Sequence, residues 1–220
     1  MEILHRIGYA VCHQISERTI FIDGKQLPVC ARDTGLYLGS LISLLFILLT
    51  KRRKSTTIPT LPLSLSFVFF FFLMGLDALT SYTGLRNTTN NIRLITGLLS
   101  GLGFPFFLYP ILRDNIIESE KDIVVLKNWI WFVLLLLLSA VTFLLLTTYN
   151  TNLFLPVAIL IIIGIISLHY ILVCTFLSVF IYRSTPMRVR TRSLIIFPSG
   201  IIILVIEFFI LTKLHNLVSI

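Results

Sequence analysis

Residues 35–54 read GLYLGSLISLLFILLTKRRK: sixteen uncharged residues ending at Thr50, then Lys51, Arg52, Arg53 and Lys54 without a break. A hydrocarbon core about 30 Å thick takes roughly 20 helical residues to cross. An abrupt passage from apolar residues to a block of cations is how a span ends on the side that retains positive charge. Five further apolar runs follow, at 58–79, 92–112, 128–148, 154–182 and 194–213, so the expected fold is all-α, a polytopic transmembrane bundle of about six spans. With 56% hydrophobic and 13% charged residues and a mean hydropathy of +0.96, the chain is too apolar for an ordinary soluble globule. Lipid is its solvent.

The formal charge of +8 could suit a nucleic-acid binder, but the basic residues lie in short loops, so no nucleic-acid partner is expected. Eleven Lys and Arg fall on one side: Lys51, Arg52, Arg53, Lys54, Arg113, Lys121, Lys127, Arg183, Arg188, Arg190 and Arg192. Seven fall on the other, Arg6, Arg18, Lys25, Arg32, Arg86, Arg93 and Lys213, and the turn Tyr149-Asn150-Thr151-Asn152 carries none. The bias predicts a multi-pass protein of the cell membrane with both termini outside and the basic loops cytoplasmic. The first 34 residues contain no uninterrupted apolar region of the signal-peptide kind, which leaves the first span to direct insertion.

The expected organisation is an outer segment 1–34, a bundle 35–213 and a short outer tail 214–220. In the first, Ile3, Ile7, Val11 and Ile15 recur every four residues and predict a short interfacial helix, followed by a turn at Asp23-Gly24 and by Pro28. Gly35 with Gly39, and Gly97 with Gly101, are small-xxx-small pairs suited to close helix contact. His169 and Cys174, in the fifth run, are expected to pack.

Two groups of residues carry chemistry. Cys12-His13 and Cys30-x-x-Asp33 offer sulfur, nitrogen and oxygen donors for a zinc-like divalent metal. Neighbours such as Cys12 and His13 diverge by about 100° on a helix, so one of the two is the better ligand. The plainer reading is an N-cap at Asp33 or Thr34 and a hydrogen-bonded His13. A third reading is a Cys12–Cys30 disulfide, which excludes metal binding by the same thiols. The second group is Asp77, with Arg86, Asn90, Asn91 and Arg93 beyond it. Asp77 at the edge of hydrocarbon needs a partner, expected in Arg86 or Arg93. One carboxylate does not require two arginines and several amides, and the surplus of donors suits an anionic head group. Glu207, in the outer half of the last span, is a candidate acid, base or interhelical hydrogen-bond partner.

At these residues the chain resembles DUF2085, a family of predicted prokaryotic membrane proteins. The resemblance rests on Cys12-His13-Gln14 with Arg18, on Cys30-Ala31-Arg32-Asp33-Thr34-Gly35 with Gly39, and on Asp77, Gly84, Arg86, Asn90, Arg93 and Gly97. In the family pattern a second cysteine usually stands where this chain has Asp33. Aspartate can ligate a metal but cannot join a disulfide, so the departure removes a dithiol at positions 30 and 33 and leaves metal binding open. The family implies a membrane protein and no particular reaction.

The leading expectation is a metal-dependent membrane enzyme at the outer interface, acting on an anionic or lipid-linked substrate. Cys12, His13, Cys30 and Asp33 would hold the metal, Arg86, Asn90, Asn91 and Arg93 the anion, and Asp77 or Glu207 would act as acid or base. The alternatives are a small transporter, a structural or accessory subunit, and a thiol-redox protein using Cys12 and Cys30. No inverted repeat supports transport.

Overall fold

The structure, a computed structural model, describes residues 2–116, 123–148, 152–184 and 189–218. Lys121, the turn residues Tyr149, Asn150 and Thr151, and the side chains of Arg183, Arg188 and Arg190 lie outside that description.

The amphipathic N-terminal helix α1 spans Glu2–Val11 and stops short of Ile15. Gln14 ends this region in a left-handed conformation (φ 52°). Its amide there donates to the carbonyls of His5 (2.7 Å) and Pro28 (2.8 Å), while Gln26 donates back to the Gln14 carbonyl at 2.7 Å. The turn expected at Asp23-Gly24 closes a two-stranded antiparallel hairpin, β1 (Thr19–Ile22) and β2 (Lys25–Cys30). Both turn residues have positive φ, 53° and 70°, matching the twist a two-residue hairpin needs. The hairpin is an addition to the all-α expectation. Ile22, Leu27 and Val29 are buried beneath it, and α1 lies on β2 so closely that a Cβ at Gly8 would meet the Pro28 carbonyl.

Among the described residues, six helices are long and apolar enough to cross a membrane. They are α2 (Ala31–Leu49), α3 (Leu61–Tyr82), α4 (Asn90–Ile116), α5 (Trp129–Thr148), α6 (Phe154–Ser184) and α7 (Val189–Val218). Several run past the apolar stretches because the backbone ladder continues beyond hydrocarbon. Helix α2 begins at Ala31 with Asp33 in its first turn, where a carboxylate complements the helix dipole. Helix α7 carries on through residues 214–218, the start of the segment read as a tail.

The central pair is α2 and α4, which make the most extensive contact in the molecule. The two glycine pairs face each other there. A Cβ on Gly35 or Gly39 would lie 2.3 Å from the carbonyl of Leu94 or Leu98, and one on Gly97 or Gly101 would lie 2.1 or 2.2 Å from that of Arg32 or Leu36. Backbone thus rests on backbone, the packing that small residues permit between membrane helices. Helices α3 and α6 flank this pair, and α7 packs mainly on α6 and α1. Only 22% of the apolar window of α5 and 11% of that of α7 is buried, which leaves their outer faces for acyl chains. At the far end from the hairpin, the Arg52 guanidinium stacks over Phe46 (5.0 Å) and Trp131 (4.8 Å).

Candidate functional site at the hairpin end of the bundle

The hairpin delivers Cys30 to the first residue of α2, and the end of α1 delivers Cys12 beside it. The Cys30 backbone N–H donates to Cys12 Sγ at 3.1 Å, and Cys30 Sγ donates to Asp33 Oδ2 at 3.1 Å. One ligand atom from each of Cys12, Cys30 and Asp33 lies within 4.8 Å of the others. A tetrahedral site with bonds of about 2.0–2.3 Å sets its ligand atoms roughly 3–4 Å apart. The three donors are near enough to one another that they could hold a zinc-like ion. Cys12 is buried and both thiols are free. The Cys12 thiol is pushed up in pKa by its hydrogen bond with Cys30, by burial and by the Asp33 carboxylate. It stays protonated at neutral pH.

His13 does not complete this group. It is exposed, and its ring lies against that of His215, with centroids 4.0 Å apart. His13 follows the end of α1 at Val11 and lines the larger of two cavities at this end of the bundle, but it is not among the three residues whose ligand atoms come together.

Asp77, at the end of α3, is 3% exposed. Its principal partner is Arg32, which sequence reading counted as an outer charge and as part of the family resemblance but not as a partner of Asp77: Arg32 Nη2 lies 2.5 Å and Nε 3.2 Å from Oδ2. Arg86 Nη2 donates to the other oxygen at 2.7 Å. Arg93 does not reach Asp77. It donates to Asn90 Oδ1 (3.0 Å) and Ser81 Oγ (3.3 Å), while Asn90 donates to the carbonyls of Glu17 (3.3 Å) and Thr19 (3.2 Å) and ties α4 to the hairpin region. Arg18 lies over the Tyr82 ring at 4.9 Å. Among the described residues, neither Arg18 nor Arg93 has a carboxylate within ion-pair distance.

Two cavities meet here. The larger, about 350 Å³, is lined by Cys12, Cys30 and Asp33 on one side and by Arg18, Arg32 and Arg93 on the other. The second, about 270 Å³, lies against Ser81, Arg86 and Thr88 and shares Arg18 and Arg93 with the first. Asn91 is exposed and lines neither cavity. Glu207 is not brought into either: its Oε1 lies 2.8 Å from Nδ1 of His169, between α6 and α7. Sequence reasoning gave Arg18 and Arg32 no role in the site. Their nearness to the cysteines along the chain was a usable signal, since Arg32 stands between Cys30 and Asp33.

Fold and site together define a polytopic α-helical membrane protein with a polar trough at one end, bounded by a thiol–carboxylate group and by arginines. The family model described as predicted membrane protein (DUF2085) matches residues 12–107. An uncharacterised protein of Methanocaldococcus jannaschii is 30% identical over 118 residues, covering 54% of this chain and 74% of the relative. A second, from Methanothermobacter thermautotrophicus, is 37% identical over 93 residues, covering 42% of this chain and 79% of the relative. The chain belongs to the DUF2085 family. No solved structure matches it.

Proposed function

We propose that this protein is a metal-dependent membrane enzyme whose trough takes a divalent, zinc-like ion on Cys12, Cys30 and Asp33 and the anionic group of an amphipathic, lipid-linked substrate on Arg18, Arg86 and Arg93. One observation carries the reading: ligand atoms suited to a metal and two arginines without carboxylate partners line the same cavity. When bound, the ion supplies a Lewis acid. The protein's own residues do the rest. Arg93, held by Asn90 and Ser81, presents its guanidinium from a fixed position, and Arg18 closes the opposite wall against Tyr82. With both oxygens engaged by arginines, Asp77 serves as a positioning residue for Arg32 and Arg86. His13 is assigned no ligand role and Asn91 no contact with the anion. The excess of basic residues at the other end supports an outer position for the trough, with both termini outside. A second reading, reversible oxidation of Cys12 and Cys30, draws on the closeness of the same two thiols.

Elemental analysis of the gently purified protein, with thiol counting on the same sample, tests both. The metal reading expects near-stoichiometric metal that is lost in Cys30→Ala, with phosphate affinity of the loaded protein reduced about tenfold or more in Arg93→Gln. A metal-free protein with two fewer titratable thiols than its three cysteines removes the metal reading in favour of the redox one.

A further inference from the structure

A second polar group lies inside the bundle, away from the trough and built from three helices. His169 of α6 stands 2.8 Å from Glu207 of α7 through Nδ1, and its Nε2 faces the hydroxyl of Tyr37 of α2 at 3.5 Å. We propose that Glu207 and His169 form an intramembrane proton-binding site, holding one exchangeable proton between them with Tyr37 as its neighbour on the trough side. This inference is independent of what the trough binds.

Position is the first argument. Glu207 is ten residues before Leu217, the last residue of the apolar span, which is about 15 Å of helix at 1.5 Å per residue. Ile206, Phe208, Phe209 and Ile210 surround it in sequence, and Phe208 also packs edge-on against the His169 ring at 5.5 Å. An ionised carboxylate at such depth is costly, and a bound proton removes the charge or shares it with the imidazole.

The second argument is an unsatisfied oxygen. Glu207 Oε2 is buried and has no hydrogen-bond partner among the described residues. A charged carboxylate left with a bare oxygen in apolar surroundings bears a much larger penalty than a carboxylic acid with one hydroxyl unmatched. The geometry at Oε1 accommodates the exchange. An imidazole can accept the carboxyl proton at Nδ1, or donate from Nδ1 to a carboxylate. In the second case Nε2 can accept the Tyr37 hydroxyl.

Among the described residues, the ion-pair partner of Glu207 is His169, and Asp33 and Glu207 both act electrostatically on Tyr37. Helix α2 contributes Tyr37, and Asp33 lies one turn further along it. Helix α6 contributes His169. On α7 itself Lys213 is directed to Phe209 (5.7 Å). His215 meets Tyr9 and His13 of the N-terminal segment, about 12 Å along the axis from Glu207. The proton therefore has His169 as its one titratable contact and Tyr37 as the next.

Dicyclohexylcarbodiimide, an apolar reagent that reacts with protonated carboxyl groups, tests the site in the full-length protein reconstituted in phosphatidylcholine vesicles. The adduct is located by peptide mass spectrometry, with Glu207→Gln as the control for position. Labelling of Glu207 is expected, falling roughly tenfold per pH unit above its midpoint. In His169→Phe, which removes the basic partner, the pH dependence of labelling is expected to change. Three results would each overturn the proposal: no adduct on Glu207 at any pH from about 5 to about 9 in folded wild-type protein, labelling independent of pH, or a pH dependence identical in His169→Phe. The wild-type measurement decides the first two whether or not the variant folds.

Discussion

Replacing Gly97 by alanine tests whether α2 and α4 are held together by backbone contact. The new Cβ would stand 2.1 Å from the Arg32 carbonyl oxygen, and reaching an ordinary contact of 3.4 Å opens the interface by about 1.3 Å there. Neither side offers a flexible chain end to give way, since the next nearest atoms, the Arg32 carbonyl carbon and the Leu36 nitrogen, are also backbone at 3.0 Å. Leu94 and Leu98, buried beside it, lose contacts as the helices part. Overpacking of this kind costs about 1–3 kcal/mol, a fall of roughly 5- to 150-fold in the folding equilibrium. The contact falls on the peptide between Cys30 and Asp33, so metal affinity should drop together with stability. Gly75→Ala is the matched control, because its Cβ meets nothing within 4 Å and alanine favours helix by about 0.5–1 kcal/mol. Unfolding midpoints in detergent, followed by gel filtration of heated samples, compare the two. A Gly97→Ala midpoint equal to or above that of Gly75→Ala would refute the argument.

Arg32→Ala and Arg86→Ala remove the two partners of Asp77, but the side chain of Arg32 is 11% exposed and that of Arg86 51%. Loss of the buried partner should cost about 3–5 kcal/mol and loss of the solvated one about 1 kcal/mol or less; equal losses in the same thermal assay would contradict this ordering. The Cys12 thiol, raised by Cys30, burial and Asp33, keeps its proton in the folded state when the unfolded chain gives its own up at about pH 8.5. The stability it contributes is complete below that pH and is lost as pH rises further, so the metal-free protein should lose up to about 1.4 kcal/mol per pH unit there. Cys12→Ser should flatten that slope, and a metal-free wild type whose unfolding midpoint is unchanged from about pH 8 to 10 would argue against the burial and hydrogen bond assigned to the thiol.

The spans were legible because bilayer thickness imposes a length and the Lys51–Lys54 block marks an end. The glycine pairs were legible because small residues one turn apart admit few other uses between helices. Cys30 and Asp33 were legible together because they stand three apart in the chain, Cys30 just before α2 and Asp33 in its first turn. Lateral arrangement was not. Arg32, Arg86 and Arg93 are all outer cations by depth, and sequence spacing favoured the last two over Arg32, which α2 carries up against α3. The same limit hid the pairing of Glu207 with His169: the depth of the glutamate could be read from the span, but which neighbouring helix would face it could not. The hairpin escaped notice because Asp23-Gly24 was read as a turn while the short strands beside it, with Pro28 in the second, carried too few alternating residues to announce themselves.

Every residue that lines the larger cavity lies between Val11 and Arg93, inside the first half of a chain of 220 residues, and the family match ends at residue 107. Chains emerge from the ribosome N-terminus first, at about 5–20 residues per second. By the time α4 has entered the membrane, all the groups that wall the trough have been made, seconds before α5, α6 and α7 follow. During that interval the nascent protein carries Cys12, Cys30 and the arginines of the cavity with half of its apolar helices still to come. On the metal reading proposed above, loading would be able to begin on an unfinished chain, before α5, α6 and α7 are made.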